Sequence, residues 1–161
     1  MLPEYTCRPA LPGDLDRLLE LYLALQDHLE AASPDLWRMA PAARQRLRGQ
    51  LAARLPARES CTLVAEHGQQ GVVAMILGRI VTNNHYLPAR TGSIDQLYVH
   101  PAHRRQGIGS QLVAGLCRFF LDHGVEDVAL RTVAGNEHAA AFWSALDFTP
   151  RILTLGALPA R

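Results

Sequence analysis

The stretch Leu97-Tyr98-Val99-His100-Pro101-Ala102-His103-Arg104-Arg105-Gln106-Gly107-Ile108-Gly109 gathers the residue types that hold a phosphate. An apolar run ends, Pro101 marks a loop, and Gly107 and Gly109 open a segment with helical periodicity. Glycines at such a point let the main chain approach a ligand with no Cβ in the way. The first turn of a helix carries N–H groups without carbonyl partners, and its dipole favours an anion. Arg104 and Arg105 add positive charge at the same place. The residues predict a phosphate cradle, and physics alone does not say whose phosphate.

Two common cradles are excluded. All sixteen basic residues are arginine, so there is no lysine for a G-x-x-x-x-G-K-[ST] loop, nor for a Schiff base. A dinucleotide fingerprint needs a third glycine where Leu112 stands. Cys7, Cys61 and Cys117 are odd in number and form no C-x-x-C pair. His100 and His103 flank a proline with no cysteine or carboxylate to complete a ligand set, so no metal is expected. Cys117, among Leu116, Phe119 and Phe120, reads as a small buried thiol.

The elements that must position this loop follow from periodicity. Residues 5–8 read as a short opening strand. Asp14 is expected to cap a helix whose face carries Leu15, Leu18, Leu19, Tyr22 and Leu23, fading near His28. Ser33-Pro34 breaks the chain, and a second helix runs from Pro41 to a stop at Pro56. Residues 61–66 and 72–81 form a hairpin about His67-Gly68-Gln69-Gln70-Gly71, and residues 93–99 form the next strand. From Gly107, an apolar stripe of Ile108, Leu112, Val113, Leu116, Phe119 and Phe120 runs to His123-Gly124, where glycine suits a left-handed cap. A strand over 128–133, a helix over 137–146 and a last strand over 148–155 complete the chain. The order β-α-α-β-β-β-α-β-α-β predicts an α/β fold, a central mixed sheet flanked by helices, in one domain over residues 1–161.

Two sets of residues together resemble the GNAT superfamily of acetyl-CoA-dependent N-acetyltransferases. Val99, Pro101, Arg104, Gly107 and Gly109 occupy the fixed positions of its pattern V-x-P-x-x-R-x-x-G-x-G. Asn136, Ala139, Phe142, Trp143 and Phe148 follow a second one, N-x-x-A-x-x-F-[YW]-x-x-x-G-F. Recognisable motifs lie between residues 94 and 148, while the element order extends the likeness to essentially the whole chain.

The resemblance implies an N-acetyltransferase that moves an acetyl group from acetyl-CoA to a primary amine, with no metal. It implies that Arg104, Arg105, Gln106, Gly107, Ile108, Gly109 and Ser110 hold the pyrophosphate. Leu97, Tyr98 and Val99 would pair through their main chain with the pantetheine arm, in a splay between this strand and the one at Val128. Asn136 would hydrogen-bond the coenzyme, with Phe142 and Trp143 near its thiol end, although Phe142 also suits an ordinary core. Asp95 stands where a glutamate base is common and is one methylene shorter, so it implies a water relay. Trp143 stands where many relatives carry tyrosine, and an indole N–H is no general acid. Water, or Tyr98, would protonate the departing thiolate. Asp147 replaces the pattern's late glycine and is expected to take a left-handed turn. A non-catalytic acyl-CoA-binding module is the alternative.

Asp27, His28, Glu30, Asp35 and Trp37 would attract a cationic acceptor, whereas Arg38, Arg44, Arg46, Arg48, Arg54 and Arg58 would favour an anionic one, so the charges leave the acceptor open. Arg44 and Arg48 share a helix face and suit a solvated surface. The whole chain of 161 residues carries a net charge of +1, which gives no electrostatic case for nucleic acid. Its mean hydropathy is −0.01 and no apolar run approaches the roughly 20 residues of a membrane span. With no secretory leader evident in Met1-Leu2-Pro3-Glu4-Tyr5 and no disulfide framework, a cytoplasmic protein is expected, with a homodimer open as an assembly.

Overall fold

Five strands build one sheet in the order β1-β2-β3-β4-β5 in this computed structural model, which describes residues 4–157. They are β1 (Tyr5–Pro9), β2 (Ser60–His67), β3 (Gly71–Thr82), β4 (Arg90–Val99) and β5 (Val128–Leu130). The first four pair antiparallel and β5 pairs parallel to β4, so the sheet is mixed. Residues 1–3, part of the segment read as lacking a leader, lie outside the described residues. The chain divides into two compact units, Met1–Leu130 and Arg131–Arg161.

In the first unit, α1 (Leu15–Ala32), α2 (Pro34–Trp37) and α3 (Pro41–Arg54) lie between β1 and β2. Leu15, Leu18 and Leu21 of α1 and Leu47 and Leu51 of α3 are buried in one cluster with Val64, Val72, Met75, Leu77 and Tyr98. Leu21, outside the expected stripe, is more deeply buried than its neighbours Leu19 and Leu23. Helix α1 also runs past His28 to Ala32. Asp14 makes no side-chain cap to α1. Its carboxylate instead accepts from the Leu11 amide at 2.8 Å and from Arg8 at 2.7 and 3.0 Å. The Arg8 guanidinium holds the Asp14 carboxyl below its usual range, a stronger partner than a helix amide would be. Arg44 and Arg48 lie on the surface as expected, but each reaches α1, at Asp27 and Asp16 respectively, both at 2.9 Å.

Helix α4 (Ile108–Asp122) covers the other face. Ile108, Leu112, Val113, Leu116 and Phe120 are buried, and Gly124 takes φ +69° as the left-handed cap requires. Glycine is needed beneath this helix. A Cβ on Gly92 would come within 2.8 Å of the Phe120 ring, and one on Gly78 within 2.7 Å of Leu116. Partial burial pushes the Cys61 thiol up to about 11 and raises that of Cys117, which is half-buried rather than buried as expected, so both stay protonated, while Cys7 is exposed.

The second unit holds α5 (Glu137–Ser144), shorter than the 137–146 expected, and no strand among its described residues. The expected strand over 148–155 is therefore corrected. A strand exists only with a ladder partner, Pro150 offers no N–H, and Ile152, Leu153 and Leu155 are exposed rather than packed. The strand expected over 128–133 likewise ends at Leu130, where its pairing with β4 stops. Asp147 does take the left-handed turn, at φ +64°.

Candidate functional site

The end of β4 and the start of α4 are joined by the loop that the sequence singles out. His100 donates its amide to Val73 on β3 at 2.9 Å. In an antiparallel ladder the main-chain groups alternate in direction, so Tyr98 faces β3 while Leu97 and Val99 face away from it. Arg104 Nε confirms that direction by donating to the Val99 carbonyl at 2.9 Å. The pairing of β4 with β5 covers only Gly92, Ser93 and Ile94. From Asp95 to Val99 that edge of β4 has no partner strand among the described residues. An extended chain laid there would find the Leu97 amide and carbonyl and the Val99 amide presented to it.

Beyond the strand, a 3₁₀ turn spans Pro101–His103 and the backbone then swings through two left-handed residues, Arg105 at φ +61° and Gly107 at φ +76°. Gly107 is the N-cap of α4, and its carbonyl accepts from Gln111 at 3.1 Å. The amides of Ile108, Gly109 and Ser110 precede Gln111, the first intrahelical donor, and stand at the positive end of the dipole. A Cβ built on Gly107 meets no atom within 4 Å, so the ground before the helix is open. An anion of pyrophosphate size fits this cradle. Arg105 and Gln106 are exposed beside it. Arg104 is turned back, with its guanidinium on Val99 and 5.6 Å from the centre of the Tyr98 ring.

Asp95 sits in a β-bulge. The register pairs Leu77 with Gln96 and Gly78 with Ile94, and leaves Asp95 as the extra residue. Its Oδ2 accepts from Arg54 and Arg79, each at 2.9 Å, and its Oδ1 accepts from Ser93 at 2.9 Å. Arg54 also donates to the Gly78 carbonyl at 3.0 Å, so it ties the end of α3 to both sides of the bulge. Next to Asp95, Gln96 donates to the Tyr22 hydroxyl of α1 at 3.1 Å. Tyr98 points its ring into the α1 and α3 core. Arg54, Arg79 and Tyr22 are the residues that sequence reasoning does not single out for this place. Their signal is the third dimension: Arg54 is 41 positions from Asp95, and Tyr22 is 74 from Gln96.

In the second unit, Asn136 caps α5 by accepting from the Ala139 amide at 3.1 Å. Trp143 packs edge-on against Phe142 and Phe148, with ring centres 4.9 and 5.3 Å apart.

The sequence pattern of the Acetyltransferase (GNAT) family matches residues 22–148. The chain belongs to the GNAT family. A search by sequence among curated proteins finds no match. Among solved structures, a tetramutant of the BH1408 protein from Bacillus halodurans superposes with a TM-score of 0.82 at 21% identity, over 96% of this chain and 99% of that one. A GCN5-related N-acetyltransferase from Ralstonia eutropha JMP134 gives 0.77 at 23% identity, over 96% and 98%. AAC(6')-Iy, in complex with the bisubstrate analogue CoA-S-monomethyl-acetylneamine, gives 0.73 at 16% identity, over 99% and 100%. These likenesses bear out the GNAT fold as a mixed sheet flanked by helices. No helix among the described residues is long and apolar enough to cross a membrane. No group of three or more histidines, cysteines or carboxylates among them is placed to hold a metal.

Proposed function

We propose that this GNAT protein transfers an acetyl group from acetyl-CoA to a primary amine of a small molecule or peptide, both bound at once. The observation that carries the reading is the continuity of the open β4 edge with the left-handed loop and free amides of α4. The edge suits an extended amide-bearing arm, and the cradle suits a pyrophosphate. Three free thiols support a reducing, cytoplasmic setting.

Acetyl-CoA supplies an activated acyl carbon and a thiolate leaving group. Leu97 and Val99 hold the arm through their main chain, with Tyr98 between them tied to β3, and Arg105, Gln106, Gly107, Ile108, Gly109 and Ser110 hold the phosphates. Arg104 holds the Val99 carbonyl at the end of that edge. The Leu97 or Val99 amide donates to the developing oxyanion. Much of the acceleration comes from holding amine and thioester in contact. The amine nitrogen forms the new bond to carbon as the carbon–sulfur bond breaks. Its proton passes through water to Asp95, whose oxygens already accept from Arg54, Arg79 and Ser93, which leaves a relay as its route. Water protonates the thiolate, and the Tyr98 ring supports β4 from the core. The family resemblance assigns Asn136 and Trp143 to the coenzyme as well.

The rival reading is a coenzyme-binding module without catalysis, favoured by Trp143 in place of a tyrosine acid and by the ion-paired state of Asp95. Calorimetric binding of acetyl-CoA, run beside thiol release with a panel of amines, separates the two. Binding with turnover on at least one amine is expected. Binding with no turnover on any amine selects the module, and no binding removes both.

Trp143→Phe tests the acid directly. Turnover is expected to change by no more than about three-fold, because packing alone is altered, whereas loss of a true general acid removes about 10²–10⁴-fold. A collapse of that size in kcat would give the indole a chemical role.

A further inference from the structure

The cradle loop starts from a buried histidine with both ring nitrogens engaged. His103 ends the 3₁₀ turn and is 5% exposed. Its Nε2 lies 3.0 Å from Gln70 Oε1, in the turn between β2 and β3, and its Nδ1 lies 3.0 Å from the Tyr5 hydroxyl of β1. A carbonyl oxygen only accepts, so Nε2 carries the proton and Nδ1 accepts from tyrosine. One side chain thereby ties the loop to the outermost strand and to a hairpin turn, 98 and 33 positions away in sequence. Arg105, the first left-handed residue of the cradle, follows two positions later.

We propose that His103 is a positioning residue for coenzyme binding: held by Tyr5 and Gln70, it fixes where the loop presents the amides from Arg105 to Ser110. This rests on the coenzyme reading of the cradle. Other ties in the loop include the His100 ring accepting from Ala102, the Arg104 bond to Val99, the His100 amide on β3 and the turn bonds from His103 to His100 and from Arg104 to Pro101. None of them reaches β1 or the hairpin turn.

A neutral ring accepts from Tyr5 at Nδ1, whereas a protonated one would turn that hydroxyl into an acceptor and add a buried charge among cationic neighbours. Around His103 stand the His67 ring of β2 at 5.5 Å, the His100 ring at 5.8 Å, Arg17 of α1 and the Tyr5 hydroxyl. Glu4 is the one anion in the group and is engaged by His67 at 3.0 Å. Burial, and then the two neighbouring histidines, push His103 below the usual histidine range. The unfolded chain therefore takes up this proton first as pH falls through about 6.5. The stabilisation from a neutral His103 is fully present above that pH and is lost below it.

The test is coenzyme A affinity of the full chain by calorimetry at pH 7.5 and 5.5, with KM and kcat alongside. Gln70 is exposed in a turn, so Gln70→Ala leaves the fold in place while removing the Nε2 acceptor. At pH 7.5, Gln70→Ala and Tyr5→Phe are each expected to weaken affinity about five-fold, the worth of one hydrogen bond, with kcat at saturating coenzyme unchanged. His103→Gln keeps a donor and an acceptor but does not titrate. It is expected to retain most of the affinity at pH 7.5 and to lose less than the parent at pH 5.5. Titration of the coenzyme's own phosphate is common to all variants and cancels in that comparison. Equal affinities for parent and all three variants at both pH values would overturn the proposal. A parent chain that binds no coenzyme A would remove the functional reading and this inference with it.

Discussion

Gly107→Val is expected to weaken coenzyme binding about 10²-fold while the chain still folds. Gly107 takes φ +76°, where a β-branched residue is strained by about 1–3 kcal/mol. Its Cβ meets no protein atom within 4 Å, so the substitution breaks nothing in the core. The methyl groups instead enter the open ground before α4, where the phosphates are placed. Strain on the loop and lost space for the ligand act in the same direction. Calorimetry with acetyl-CoA reads the affinity, and circular dichroism confirms the fold. Gly107→Ala should fall between parent and valine variant. A valine variant that binds like the parent would mean that the cradle lies elsewhere.

Asp95→Asn is expected to lower kcat/KM about 10²-fold near pH 6 with one good amine, with the gap closing towards pH 9. At low pH little amine is free, and a group that removes its proton matters most. At high pH the amine arrives deprotonated and the loss should shrink. Asparagine still accepts from Arg54 and Arg79 through its carbonyl oxygen, so the bulge should survive. Asp95→Ala is different. It leaves two guanidiniums without their shared partner, beside side chains only 14–21% exposed on the Asp95–Arg54 pair. A further loss of about 2–3 kcal/mol in stability is expected there, somewhat less than for a fully buried pair. A pH-independent loss in Asp95→Asn would assign Asp95 to structure alone, and an unchanged profile would leave proton removal to solvent.

What the sequence reveals here is what is local in it. The period of 3.6 residues in α4 predicts its buried face, because residues three and four apart share one side of a helix. Gly124 and Asp147 are legible as left-handed positions because backbone sterics leave few alternatives. Partner choice is not local. Residues 148–155 have the composition of a strand, but pairing decides strands. Asp14 has the chemistry of a helix cap, yet Arg8 outcompetes the helix for it. The loop from Val99 to Gly109 is readable as a cradle, whereas the ion pairs of Asp95 and the anchors of His103 come from segments far along the chain.

The open edge of β4 ties folding to supply. On the proposed function, whatever lies along Leu97 and Val99 completes a ladder that the chain leaves unfinished, and it binds only the folded form. Such a ligand stabilises by mass action, by about 2.7 kcal/mol when present at a hundred times its dissociation constant and about 1.4 kcal/mol more for each further ten-fold. That is a large share of the 5–15 kcal/mol typical of a domain. The population of folded chains then follows the concentration of free coenzyme, so a cell short of it holds a less durable pool of this protein as well as a less active one.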